Sequence, residues 1–130
     1  MKTVVLTDGK YRSSIAAARA LGRAGYRVVV TQTNDDVGGA PPVFSSVFAT
    51  GLRIPGSVND PDRLVSVLRS FERPVLFPVG AATLAAVAAR RELFSEFADF
   101  IVADPDALDK LNDKKAVHDR AESLGIPVPR

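Results

Sequence analysis

The chain contains no cysteine. Disulfides and thiolate metal centres are therefore excluded, and the setting is read as cytoplasmic. It has a single histidine, His118, placed mid-helix with no serine, cysteine or second ligand nearby. His118 is accordingly read as a surface or packing residue. No apolar run approaches the roughly 18 residues that a membrane-spanning helix needs. Met1-Lys2-Thr3 leads straight into a strand, with no signal-peptide core or cleavage site. Charge of one sign is also scarce. Seventeen basic residues against fifteen acidic ones give a net charge of +2. The lysines and arginines are scattered rather than striped, so no nucleic-acid partner is expected.

Several nucleotide signatures are missing as well. Gly9-Lys10 has the look of a phosphate loop, but that pattern needs glycine where Val4 stands and serine or threonine at Tyr11. The three-glycine dinucleotide fingerprint is absent, since Gly9 is alone in the first turn. Asp35 and Asp36 stand where a ribose-binding acid follows a second strand, without the glycines that would accompany it. A phosphoacceptor receiver domain needs an aspartate closing the third strand, and Ile54-Pro55 is there instead.

What is present is 130 residues, 46% of them apolar. That length suits one globular domain burying roughly two-thirds of its unfolded surface. The organising stretch is Lys2 to Thr33. Val4, Val5 and Leu6 form a short apolar strand ending at Thr7-Asp8-Gly9. Ser13 and Ser14 are candidate caps for the following helix. Ile15, Ala18 and Leu21 share one face of it, and Gly25 stops it. Ala16, Ala17, Ala18 and Ala20 are small enough to let that helix lie close to a sheet. Val28, Val29 and Val30 then form an unbroken β-branched run. Such a run suits a strand buried on both faces, hence a parallel sheet with helices above and below.

The turn-rich segment from Thr33 to Ala49 reads as a loop or short irregular helix, with Phe44, Val47 and Phe48 tucked against the sheet edge. A third strand is expected at Ala49 to Ile54. Asp60-Pro61 opens a helix with a capping aspartate and a proline at the first helical position. Leu64, Val65, Leu68 and Phe71 form its buried stripe. A fourth strand runs from Pro74, and its hydrogen-bonded part should stop at about Phe77, because Pro78 has no donor. Gly80 turns the chain into a helix from about Ala81 with Leu84, Val87 and Ala88 inward. A helical turn over Arg91 to Phe97 follows, separate or continuous. Asp99 to Ala103 reads as a fifth strand. Asp104-Pro105 starts a short helix to about Leu111. Asn112 is the expected cap of a last helix with Val117, Ala121 and Leu124 inward.

Strands alternating with helices give an α/β class: a Rossmann-like, doubly wound parallel sheet of about five strands, order 3-2-1-4-5. Ligands in such sheets bind at the carboxyl ends of the strands, beside the point where strand order reverses. Here that rim comprises Asp8, Gly9, Arg12, Ser13, Gly80 and Thr83. Asp8 is a candidate to hold a substrate amine and Arg12 to pair a carboxylate. Lys114 and Lys115 stand at a helix start, where the dipole disfavours cations. An indifferent exposed pair is one explanation; a lysine aimed at an anion that also meets the helix amides is the other.

From Asn112 onward the sequence reads Asn-Asp-Lys-Lys-Ala-Val-His-Asp-Arg-Ala-Glu-Ser-Leu-Gly-Ile-Pro-Val-Pro. This resembles the segment leading into ATP-grasp domains: Asp-Lys, a helix of about ten residues, then Gly-Ile-Pro-x-Pro. Biotin carboxylase and the large subunit of carbamoyl phosphate synthetase share it. The opening Val-Leu-Thr-Asp-Gly, the helix end Leu-Gly-Arg-Ala-Gly-Tyr-Arg-Val-Val-Val and the later Leu-Phe-Pro-Val-Gly are similar to the amino-terminal domain of carboxylate–amine ligases of that superfamily. The resemblance implies a Rossmann-like domain over 1–111, then a helix and extended segment over 112–130 leading into an ATP-grasp domain. It implies a ligase that activates a carboxylate as an acyl phosphate with ATP and magnesium before an amine attacks. It also implies that Lys114 contacts ATP phosphate oxygens. The magnesium carboxylates of the family lie in later parts, so this stretch alone is expected to hold no cofactor and to be inactive. Expected partners are an ATP-grasp domain of the same or a split chain and small carboxylate and amine substrates, with no membrane; a homodimer is left open. The alternatives are a free-standing nucleotide or small-molecule binding module and a structural docking domain.

Overall fold

In the computed structural model, residues 1–33, 39–57 and 60–129 are described. Asp35 and Asp36 lie outside them. The valine runs dictate the architecture. In β1 (Thr3–Leu6) and β2 (Arg27–Thr33), successive side chains point to opposite faces. Val5 and Val29 enter one core with Leu76, while Val4, Leu6, Val28 and Val30 enter the other. Both strands are thus apolar throughout because both faces are covered.

β3 (Thr50–Ile54) and β4 (Val75–Phe77) complete a four-stranded parallel sheet in the order β3-β2-β1-β4. Helix α1 (Arg12–Arg23) covers one face through Ala18. Ala17 lies partly against it, whereas Ala16 and Ala20 face solvent. A 3-10 turn (Pro42–Ser45) buries Val43 beside it. This turn explains Gly51: a Cβ there would lie 2.3 Å from the Phe44 ring. Val47 is exposed rather than tucked in. The opposite face is covered by α2 (Pro61–Leu68), α3 (Ala81–Ala89) and α4 (Arg91–Ser95) through Val65, Leu68, Val87, Ala88 and Phe94. The chain then forms α5 (Pro105–Asn112) and α6 (Lys114–Ser123). Neither buries a residue fully, and no described helix is long and apolar enough to cross a membrane.

The fifth strand is reduced to one bridge. Asp99 donates its amide to Pro74 O (2.9 Å) and accepts from Leu76 N (2.8 Å), parallel to β4. The reason lies in β4. Alternate residues of a strand turn their amides to the same side, so Pro74, Leu76 and Pro78 face outward. Two of those three are prolines and have no N–H to give. Leu76 is the single outward donor, and pairing stops after Asp99. The end of β4 at Phe77 matches the expectation drawn from Pro78.

The caps of two helices differ from expectation. Tyr11, not Ser13 or Ser14, is the N-cap of α1, and no side chain caps that helix. Ser14 is buried and turned inward to the rim. Asp113 caps α6 by accepting from Ala116 N at 3.0 Å, since Asn112 is spent as the last residue of α5. Val117 and Leu124, expected inward on α6, are 42% and 58% exposed because no described element lies over them. The Asp60-Pro61 and Asp104-Pro105 starts form as read, each aspartate capping its helix.

Asp99 is also a surface electrostatic tie. Lys2 Nζ lies 3.2 Å from one carboxylate oxygen and Arg73 Nε 2.7 Å from the other. These donors hold the Asp99 carboxyl below the usual value of 3.8. A depressed folded-state pKa stabilises the fold above the unfolded value and loses that contribution as pH falls through the folded pKa. Asp99→Asn should therefore be less stable than the parent near neutrality, with the gap closing below pH 3.8. Urea titrations from pH 7 to 2 check this; a gap constant across that range contradicts it.

Candidate functional site

The carboxyl edge of the sheet is built on two residues that follow β1. Thr7 and Asp8 are both buried. Thr7 N donates to Phe77 O at 3.2 Å, which keeps the chain beside β4 for one more residue. Asp8 then turns sharply with φ 58°. Aspartate is among the few side chains that tolerate the left-handed region. The turn is locked from below, where Ser14 Oγ donates to Asp8 O at 2.7 Å and to Thr7 O at 3.3 Å. Gly9 N reaches across to Thr31 O at 3.1 Å.

The Asp8 carboxylate crosses the switch point. Its Oδ2 accepts from Gly80 N at 2.8 Å and from the Thr7 hydroxyl. Its Oδ1 accepts from Thr83 Oγ1 at 2.9 Å. Thr7 Oγ1 in turn accepts from Val79 N at 3.1 Å. Gly80 is required by this closeness, because a Cβ there would sit 2.8 Å from Asp8 Cγ. Asp8, Gly80 and Thr83, three of the expected site residues, are therefore brought into one network. Both oxygens of the Asp8 carboxylate are thus bonded within the protein, Oδ2 twice and Oδ1 once.

The other expected residues lie apart from it. Gly9 packs on the α1 face, where its Cβ position faces Val30 and Val43 at 3.1 and 3.2 Å. Arg12 and Ser13 are exposed in the first turn of α1. Lys114 is exposed at the first position of α6.

A small cleft opens beside the Asp8 network, on the α2 side of the sheet. Thr7, Asp8, Thr31, Thr33 and Ile54 line it from the strand ends, Ser57, Asp60, Arg63 and Leu64 from the approach to α2 and its first turn, and Thr83 from α3. Its inner space is about 20 Å³, room for one water-sized group. Reading the sequence for the switch point alone missed Thr31, Thr33 and Arg63. The signal for Arg63 was present: Asp60-Pro61 starts its helix at the rim, and three residues later the chain offers an arginine. Elsewhere, His118, Asp119 and Glu122 have ligand atoms within 4.8 Å of one another. Lys115 already pairs with Asp119, and the group lies on exposed α6, so it supports no metal assignment.

Removing the Asp8 carboxylate leaves the Gly80 amide and two hydroxyls without their acceptor. Each unsatisfied buried group costs about 1–3 kcal/mol. Asp8→Ala should therefore lower stability by about 3 kcal/mol or more, and Thr83→Val by about 1.5–3 kcal/mol, since it deletes one bond to a charged group. Chemical denaturation checks both; a Thr83→Val protein as stable as the parent contradicts the network.

No family profile matches the chain, and no curated protein sequence matches it. Among solved structures it is similar to the biotin carboxylase domain of a single-chain bacterial carboxylase, with a TM-score of 0.64 at 23% identity. The match covers 98% of this chain and 30% of that one. The chain thus spans less than a third of the length of the protein it resembles, and what the likeness establishes is the fold: an α/β domain with a parallel sheet, over nearly all of its residues.

Proposed function

We propose that the chain is the amino-terminal domain of an ATP-grasp carboxylate–amine ligase and does its work joined to the ATP-grasp part. The observation that carries this is a coincidence of two kinds of likeness. The fold matches a biotin carboxylase domain along 98% of the chain. The stretch after α5 is Asp113-Lys114, a helix, then Gly125-Ile126-Pro127-Val128-Pro129, the pattern that leads into ATP-grasp domains.

In this reading a carboxylate oxygen attacks the γ-phosphorus of ATP, and ADP leaves. The amine nitrogen then attacks the acyl carbon, the carbon–oxygen bond to phosphate breaks, and the nitrogen gives up a proton. The domain supplies the rim that receives a small substrate and the lysine that meets ATP. The two lysines at the head of α6 are not equivalent. Lys115 Nζ is bonded to Asp119, one turn on. Lys114 has no ion pair among the described residues, and its charge is available to a phosphate. Its position suits that role, since a cation in the first helical turn is unfavourable until an anion joins it. The bare flank of α6, with Val117 and Leu124 exposed, is consistent with a helix that packs on further protein.

A hydrogen bond to a charged group contributes about 1.5–3 kcal/mol. Lys114→Ala should therefore weaken ATP binding roughly 10- to 150-fold in the protein joined to its ATP-grasp domain. Lys115→Ala should leave it unchanged. Calorimetric ATP titration of both variants measures this, alongside a coupled assay for ADP release that depends on added carboxylate and amine. Equal ATP affinity in parent and Lys114→Ala contradicts the lysine assignment; the absence of any ADP release with a broad panel of both substrates contradicts the ligase.

A further inference from the structure

The chain's single histidine meets the segment that leaves α6. That helix ends in two crossed bonds. Gly125 N donates to Glu122 O at 2.9 Å, and Ile126 N donates to Ala121 O at 2.9 Å. Gly125 has φ 69°, a left-handed turn that glycine makes without a Cβ penalty. Pro127 and Pro129 then restrict the backbone, and neither has an amide to leave unpaired. By Pro129 the chain has reversed: its carbonyl oxygen lies 3.3 Å from His118 Nε2, 11 residues back. A carbonyl only accepts, so Nε2 carries the hydrogen and donates it. His118 and Val128 are both partly buried, whereas the residues flanking each are exposed. Residues 125–129 therefore lie back along the helix they have just left.

The direction of this reversal matters. A chain running on past Gly125 along the helix axis would move away from Lys114. Residues four apart share one helix face, so His118 stands one turn after Lys114 on the same side. A chain held at His118 resumes beside the turn that carries Lys114. The charged neighbours of the ring lie elsewhere. Asp119 Oδ1 faces the other ring nitrogen, 3.9 Å from Nδ1, and Lys115 is bonded to Asp119.

We infer that His118 is a positioning residue: it straps residues 125–129 to α6, so that the chain beyond Pro129 starts from the Lys114 end of the helix. As a role in ATP binding this rests on the proposed function, but the strap itself requires neither ATP nor a further domain.

NMR relaxation and nuclear Overhauser measurements on the isotope-labelled chain test the strap. The Val128 amide should be as ordered as those of α6, with an order parameter of about 0.85, and the His118 ring should cross-relax with Pro129. His118→Ala should drop Val128 below about 0.6, the range of a free tail, while the α6 amides keep their values. His118→Gln should restore the order, because a side-chain amide also donates. Arg120→Ala, an exposed change on the same helix, should leave it unchanged. The His118 side chain is 42% exposed, so these variants keep the fold, which the α6 amides report. A parent in which Val128 is already mobile overturns the inference. So does order that survives His118→Ala or fails to return in His118→Gln. In the protein joined to its ATP-grasp domain, His118→Ala should weaken ATP binding severalfold, as the fraction of correctly placed chain falls. It should add nothing in a Lys114→Ala background, and additive losses overturn the positioning role. ATP affinity indifferent to Lys114→Ala with the strap intact sinks the lysine assignment and leaves the strap standing; a mobile strap with ATP binding still dependent on Lys114 does the opposite.

Discussion

A buried carboxylate must be surrounded by donors, and in this chain that requirement shapes the rim. Asp8 gathers an amide from Gly80, a hydroxyl from Thr83 and a hydroxyl from Thr7. Without them its burial would be strongly unfavourable. With them, the turn after β1 and the turn after β4 become one unit across the point where strand order reverses. Other local choices follow from this. Asp8 adopts a left-handed backbone so that its side chain points across rather than outward. Position 80 has no room for a Cβ. Ser14, which looked like a helix cap, is instead turned down to hold the two carbonyls of the Asp8 turn. Asp8 thereby braces the site.

A second constraint acts at the far edge of the sheet. β4 offers one outward amide because prolines occupy the positions on either side of it. Asp99 takes that amide and nothing continues past it. The chain beyond leaves the sheet, and Ile101 projects fully into solvent. The helices that follow, α5 and α6, sit at the margin, with apolar residues such as Leu111, Leu124 and Ile126 uncovered. The domain is thus firmly packed around β1 and β2 and progressively barer toward its carboxyl end.

The parts legible in the sequence are those where local pattern and tertiary context agree. The valine runs of β1 and β2 stated two covered faces, and two cores are there. The Asp-Pro starts of α2 and α5 were unambiguous because a capping side chain and a fixed proline φ act locally. Pro78 ended β4 on the same grounds. The failures came where a distant partner decided the outcome. Ser14 had two uses, and the carbonyls of Thr7 and Asp8 took it. The apolar run from Phe100 looked like a strand, but a strand needs a neighbour with amides to give, and two prolines had removed them. Val117 and Leu124 fall at helical spacing, yet spacing shows only which face is apolar, not whether anything covers it. At the rim, the switch-point rule found Asp8, Gly80 and Thr83 together. It could not show that the Asp8 carboxylate ties the two turns together, nor that α2 brings an arginine to the same cleft.

The acidic groups at the rim show how far local bonding has gone there. The carboxylates lining the rim cleft are engaged: Asp8 in the network and Asp60 at the head of α2. Asp8 has both oxygens bonded inside the protein, whereas Asp60 Oδ2 faces only Arg63, at 3.8 Å. The rim's one cation, Arg63, faces one of its two carboxylates, and the edge itself is held rigid by the Asp8 network. Lys114, at the head of the uncovered helix α6, has no ion pair among the described residues. Under the proposed function, a braced sheet edge on this domain and phosphoryl chemistry in an ATP-grasp part would divide the work between them.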